Sequence, residues 1–309
     1  MVTLHCHLPD PRLARDVVRY VIVDDDVPRN YQIVRNTLYI DVDGAEVRVD
    51  DAPWRGDQFG IMSHRAVARE KRGGRIVVVN FQNGGPSRLY GLDAGANLGL
   101  FGNGEPMPHP DLAELGDAVR AAGDDVAAIC AALDRGLLAR LPRREPEGVA
   151  EQAFEAIVER PIGTVRIAEL AGEIGVAHRT LQRAYKRRYG VTMARHLRMW
   201  RFGLGIMRPN GATPTWAKVP LSLGYVDQSH FLRDARDLAG VPPDALGGAF
   251  GIRVLCYPRG DFRPRSARED PRELRDWHAH YARMPGGTYL LRWLRRIFEE
   301  RDEPWRRQA

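Results

Sequence analysis

The chain has 309 residues, of which 44% are hydrophobic and 28% charged, a composition ordinary for globular protein and long enough for two domains. It holds no apolar run of the roughly eighteen residues a membrane span needs, and its first residues, MVTLHCHLPDPRLARDVV, lack the apolar core of a signal peptide. Cys6, Cys130 and Cys256 are scattered and odd in number, so they read as free thiols of a reducing cytoplasm, and no membrane partner is expected. The net charge of +6 is unevenly spread: residues 1–150 carry 18 Lys+Arg against 22 Asp+Glu, while 151–250 and 251–309 each carry 14 against 9. Within 178–208 there are nine basic residues and no acid, a concentration that an ordinary solvated surface would not predict.

Residues 1–110 read mainly as β structure. Candidate strands are Val17–Val23, Tyr31–Val42, Ala45–Val49, Phe59–Ala68, Ile76–Gln82 and Ser87–Leu92. Asp43-Gly44 signals a hairpin, and the Gly-Gly pairs at 73–74 and 84–85 mark further turns. Residues 111–141 then read as two or three short helices, with Leu112, Leu115, Val119, Val126, Ile129, Cys130, Leu133 and Leu137 as their apolar stripe. His5, His7, His64 and His109 could be imagined as a metal site, but their spacing supports none, and core or surface histidines are the commoner explanation. The motifs GxxxxGK[ST], GxSxG and HExxH are absent, so no catalytic residue, metal ligand or cofactor is assigned.

Pro142–Glu147 (PRREPE) is a polar, Pro-containing boundary, which makes 142–148 a linker. A helix over Val149–Ile157 follows and ends before Pro161 and Gly163. Ile167, Leu170, Ala171 and Ile174 recur at helical spacing, and Gly175 suits the left-handed residue that closes a helix. A second helix begins three residues on, in HRTLQRAYKRRYG. At 100° per residue Leu181, Ala184 and Tyr185 form its core stripe, and Arg179, Gln182, Arg183 and Lys186 its opposite side. Arg offers a bidentate fork for guanine and Gln one for adenine, and a DNA major groove admits a helix. Helix, short Gly-containing turn and second helix with a polar face is the helix-turn-helix order. The framework recurs fifty residues later, where Phe231, Arg233, Gly240 and Val241 match Leu181, Arg183, Gly190 and Val191. There Thr213 and Pro214 start a helix with the stripe Trp216, Val219 and Leu223, and Gly224 plays the part of Gly175.

The stretches IAELAGEIGVAHRTLQRAYKRRYGV, RHLRMWRF and LGYVDQSHFLRDARDLAGVPP carry a resemblance. The segment from about 150 to 246 resembles the DNA-binding domain of AraC/XylS-type transcription regulators. The resemblance implies two helix-turn-helices bridged by a long helix, over about 192–207, that contact adjacent major grooves of double-stranded DNA. The family's base-reading positions fall on Arg179, Gln182 and Arg183, and on Gln228, Ser229, Leu232 and Arg233. Lys186, Arg187, Arg188 and Arg195 are candidates for phosphate contacts, which position the protein without specifying sequence. VVVNFQNGGPSRLYGL, with the helical tail after it, resembles a sensor-domain variant of the same family and implies effector binding, homodimerisation or both. RNA polymerase is an implied partner if the chain is an activator.

This sequence departs from the family pattern at several places. Ala177 stands where an N-capping Ser is usual, at a cost of about 1 kcal/mol. Pro220 should kink its helix, and Gly203 and Gly205 should weaken the connecting one. Ala235 replaces an aromatic at the position matching Tyr185, and Asp234 and Asp237 are expected to cancel Arg233 and Arg236. The resulting α+β expectation divides the chain into a small β domain with a helical tail (1–141), a linker (142–148), an all-α double helix-turn-helix domain (149–250) and a basic, helical C-terminal extension (251–309). In the extension, PRGDFRPRSAREDPRE reads as a linker, Leu274–Arg283 and Tyr289–Glu300 as helices, and His278-x-His280 as no metal site. A rival expectation keeps the DNA-binding module but makes the β domain an enzyme or small-molecule-processing unit. It needs a convergent polar set, and the sequence supplies none that can be assembled.

Overall fold

The computed structural model describes residues 2–33, 36–49, 51–54, 57–60, 66–94, 110–158, 160, 165–206, 225–240 and 252–257. Ten strands are present: β1 Val2–His7, β2 Val17–Val23, β3 Val27–Ile33, β4 Thr37–Asp41, β5 Glu46–Val49, β6 Ala52–Trp54, β7 Gln58–Gly60, β8 Ala66–Arg72, β9 Ile76–Phe81 and β10 Ile252–Tyr257. They form a six-stranded sheet, ordered β10-β1-β2-β9-β4-β7, and a four-stranded sheet, ordered β3-β8-β5-β6.

The apolar runs VVRYVIV and IVVVNF explain the position of the larger sheet. A strand covered on one face alternates, whereas one covered on both reads as continuous hydrophobe. Val21, Val23, Tyr39, Ile76 and Val78 pack with Val47 and Val49 of the smaller sheet. Their neighbours Tyr20, Ile22, Leu38, Ile40, Val77 and Val79 point the other way, into a core shared with two helices. Those helices are α2 Pro110–Ala121 and α3 Val126–Leu138, which carry the stripe expected for 111–141. The N-terminal part is therefore three layers, and the middle sheet is buried twice. Asp57 holds α2 to the layer beneath it, accepting from Arg120 at 3.1 Å.

Several sequence expectations are corrected. Tyr31–Val42 is not one strand but β3 and β4, which lie in different sheets. Phe59–Ala68 likewise contributes to β7 and β8, and residues 61–65 lie outside the described residues. Asp43-Gly44 makes a turn but not a hairpin: β4 and β5 do not pair, and the chain passes there from one sheet to the other. Gly44 takes φ +86°, and Asp41 Oδ1 accepts from Gly44 N and Ala45 N, both at 2.9 Å. Of the expected strand Ser87–Leu92, Ser87–Tyr90 lies in a helix, α1 Gly85–Tyr90, whose Pro86 cannot donate to a sheet and fits a first helical turn.

The extension begins with a strand that the sequence reading did not assign, and the expected linker PRGDFRPRSAREDPRE lies outside the described residues. Ile252–Tyr257 (IRVLCY) pairs in parallel with β1, from Val2↔Ile252 to His7↔Tyr257. Its apolar, β-branched content was visible, but charged sequence beyond it masked the signal, and β1 was equally unexpected. The expected helices at 274–283 and 289–300, and His278 and His280, lie outside the described residues.

Between Val149 and Ala239 the described elements are helical: α4 Val149–Val158, α5 Ile167–Ile174, α6 His178–Tyr189, α7 Met193–Ile206 and α8 Gln228–Ala239. They enclose a core of their own, including Leu170, Leu181, Tyr185, Tyr189, Met199, Phe202, Phe231 and Leu238, with no residue from the sheets. The helix α7 runs through Gly203 and Gly205 to Ile206. Trp216, Val219, Pro220, Leu223 and Gly224 lie outside the described residues. Among the described residues no helix is long and apolar enough to cross a membrane.

One buried polar contact joins α6 to α7. Tyr185 Oη lies 2.8 Å from His196 Nδ1, and Phe154 stacks on the imidazole with ring centroids 5.5 Å apart. Burial favours the neutral ring and lowers the His196 pKa from 6.5 to about 4. Because the folded value lies below the unfolded one, this stability is complete above pH 6.5 and is lost as pH falls toward 4. The loss should reach roughly 3 kcal/mol. Urea unfolding of wild type and His196→Gln across that range will show a steeper fall for wild type; parallel curves would refute a neutral, buried His196.

Candidate nucleic-acid interface

The chain turns from α5 into α6 at Gly175, which takes φ +78° and donates its N–H to the carbonyls of Ala171 and Gly172. Ala177 then holds extended backbone with no side-chain cap on α6. The apolar stripe goes inward, with Leu181, Tyr185 and Tyr189 all buried. Arg179, Gln182, Arg183, Lys186 and Arg187 are exposed. None of the four cations among them forms an ion pair with another described residue. This is one solvent-facing side bearing guanidinium, amide and ammonium donors.

Arg188 does not share it. Nine residues beyond Arg179, it points about 180° away on a helix of 100° per residue. Its side chain is 13% exposed and sits against Glu151 at 2.7 Å and Glu145 at 2.9 Å. Arg195 is also engaged within the protein, 2.8 Å from Asp237. Of the nine basic residues in the acid-free window, Arg188, Arg195, Arg198 and Arg201 are ion-paired in the fold, and Arg208 lies outside the described residues.

The helix α8 repeats α6 where the fifty-residue offset predicts. Phe231 matches Leu181 and both are fully buried, while Arg233 matches Arg183 and both are exposed. Gly240 at φ +69° matches Gly190 at φ +76°, and each closes its helix in the left-handed region. The helix α8 has the side-chain cap that α6 lacks: Asp227 accepts from His230 N at 2.6 Å. Gln228, Ser229, Arg233 and Arg236 are exposed, and Leu232 is half-buried beside them.

The two acids of α8 do not cancel Arg233 and Arg236. Asp234 falls 100° round from Arg233, on the core side, and is 1% exposed. It accepts from Arg198 at 2.6 Å and from Tyr225 Oη at 3.1 Å. Asp237 is held by Arg195 at 2.8 Å and Arg198 at 2.6 Å, and those guanidiniums keep its carboxyl below the usual range. The helical wheel carried this information, whereas a count of charges per helix did not.

Where the N-terminal part meets α4 and α6, buried charges form a chain that the sequence had not suggested. Arg88 of α1 donates to Asp16 at 2.7 Å, and the pair is 4% and 0% exposed. Arg88 also faces Glu151 at 3.7 Å, and Arg144 reaches the second oxygen of Asp16 at 3.0 Å. Ser87 Oγ donates to the carbonyl of Arg188 at 3.1 Å. Beside this chain lies a cleft of about 670 Å³. Its lining includes Ser87, Asp93 and Glu145 on one side and Thr180, Arg183 and Arg187 of α6 on the other.

No family model and no curated protein matches the chain. Solved structures to which the chain is similar include those of ToxT from Vibrio cholerae. One, at 1.65 Å, is 11% identical with a TM-score of 0.41, over 75% of this chain and 97% of that one. An apo point variant has the same identity and coverage with a TM-score of 0.39. A third, wild-type ToxT with bound unsaturated fatty acid, is 10% identical with a TM-score of 0.39, over 75% and 96%.

Charge placement separates neighbouring arginines. Arg88→Met takes one buried guanidinium from Asp16 and Glu151, leaving them Arg144 and Arg188, and should lower the unfolding free energy by about 2 kcal/mol. Arg187→Ala removes an exposed side chain and should change it by less than about 0.5 kcal/mol. Urea titration of both variants is decisive: a loss under about 1 kcal/mol for Arg88→Met would mean the junction charges are hydrated.

Proposed function

We propose that this chain is a sequence-specific DNA-binding transcription regulator of the AraC/XylS type. The observation that carries the reading is the duplicated helix α6/α8. Each copy buries one apolar stripe in a common core and turns Arg and amide or hydroxyl side chains to solvent, at matching positions fifty residues apart. Two outward faces bearing base-edge donors suit adjacent major grooves better than a non-specific binder, which needs mainly cations.

In this reading Arg179, Gln182 and Arg183 meet bases from α6, and Gln228, Ser229, Leu232 and Arg233 from α8. Lys186 and Arg187 take phosphates, joined by Arg236. Arg188 and Arg195 are given no DNA contact, because carboxylates of the protein already hold them. The N-terminal layers serve as a sensor for a small-molecule effector. The cleft of about 670 Å³ is of a size that holds small ligands, and because Arg183 and Arg187 line it, an effector bound there would compete with DNA for those two side chains.

Affinity for duplex DNA should fall steeply with salt. With four to six cations neutralising phosphates, log K against log salt should slope between about −3.6 and −5.4. Arg183→Ala should relax preference at one base pair at a cost of about 1–3 kcal/mol, whereas Lys186→Ala should weaken all duplexes alike and reduce the slope by about one. Fluorescence anisotropy on a duplex library measures all three. A flat salt response from folded protein would refute the proposal, and identical uniform losses would reduce Arg183 to a phosphate contact.

A further inference from the structure

The helices α7 and α8 face each other with complementary charges at the same spacing. Arg195, Arg198 and Arg201 stand three residues apart on α7, and Asp234 and Asp237 three apart on α8. The order is antiparallel: Arg195 and Arg198 meet Asp237 at 2.8 and 2.6 Å, and Arg198 and Arg201 meet Asp234 at 2.6 and 3.7 Å. Arg201 also lies over the Tyr225 ring, 4.4 Å from its centroid, while Tyr225 Oη donates to Asp234. Arg198 bridges both carboxylates, so a slide or rotation of α8 breaks several bonds together.

The helix α8 packs on smaller side chains of its own than α6 does, although Phe202 and Tyr225 meet its Phe231. The first helix is wedged by Tyr185 and Tyr189, and the position matching Tyr185 in α8 is Ala235. Phe231 and Leu238 hold α8 to the core, but apolar packing is weakly directional. Charge-assisted hydrogen bonds are directional, while a buried pair adds little net stability over an apolar substitute.

We propose that Asp234, supported by Asp237, is a positioning residue that sets how α8 presents Gln228, Ser229 and Arg233. The inference rests on the DNA-reading role proposed above. It assigns base discrimination by the second unit to an ion ladder behind it, made of side chains that touch no DNA.

The test uses the full chain and a pool of randomised DNA duplexes, with folding checked by urea titration. Arg183→Ala and Arg233→Ala first identify the base pairs read by α6 and by α8. Asp234→Asn then lowers discrimination at the α8 base pairs by about five-fold or more, and leaves the α6 base pairs as in wild type. Asp237→Asn, at a half-exposed position, gives a smaller loss at the same base pairs, and Asp237→Glu restores wild-type discrimination. If Asp234→Asn does not fold, the Asp237 variants decide alone. Losses spread evenly over both sets of base pairs, or folded variants that discriminate like wild type, overturn the ladder's role and leave the DNA-reading proposal standing. A wild-type protein with no base preference overturns both.

Discussion

The arrangement of the molecule depends on burying Asp16 and Arg88 together. Neither charge could leave water alone, because an isolated ion in a protein interior costs several kcal/mol. Paired at 2.7 Å, and extended by Arg144 on one side and Glu151 and Arg188 on the other, they become a compensated polar seam. That seam meets both hydrophobic cores: Asp16 lies between Leu13 and Val17 of the layered part, and Arg188 between Tyr185 and Tyr189 of the helical part. Such contacts add less stability than apolar packing would, but they tolerate few other alignments. They fix α1 against the C-terminal half of α6, and so relate the sheets to the helix proposed to read DNA.

Much of the helical part was legible because its signals were local. The stripe of Leu181 and Tyr185, the glycines at 175, 190 and 240, and the fifty-residue offset each follow from backbone conformation or helical periodicity. The uncapped Ala177 was legible for the same reason. In the β part, the doubly buried Val17–Val23 and Ile76–Phe81 were read nearly to the residue, since a continuous apolar run needs no knowledge of its partners. What failed was pairing. Nothing local in Asp43-Gly44 distinguishes a hairpin from a crossing between sheets, and nothing in IRVLCY reveals a partner about 250 residues away.

The candidate site was half legible in the same sense. Which residues α6 and α8 expose follows from 100° per residue. Which cations remain available does not, because Glu145 and Glu151, which hold Arg188, lie on or just before another helix. Arg195, Arg198 and Arg201 are likewise held by α8. The excess of positive charge in the acid-free window is therefore divided between holding the fold together and facing solvent. Asp234 illustrates the division: on the same helix as Arg233, it serves the opposite face.

The return of the chain to β1 has a mechanical consequence. The helical part leaves the layered part at Leu141, after α3, and rejoins it at Ile252, on the edge of the larger sheet. A body tethered at both ends cannot drift away when its seam opens, so Arg88 and Asp16 meet again at a high effective concentration. Double attachment therefore favours re-formation of the seam after a local opening, and keeps the helices beside the sheets without requiring the seam itself to be strong.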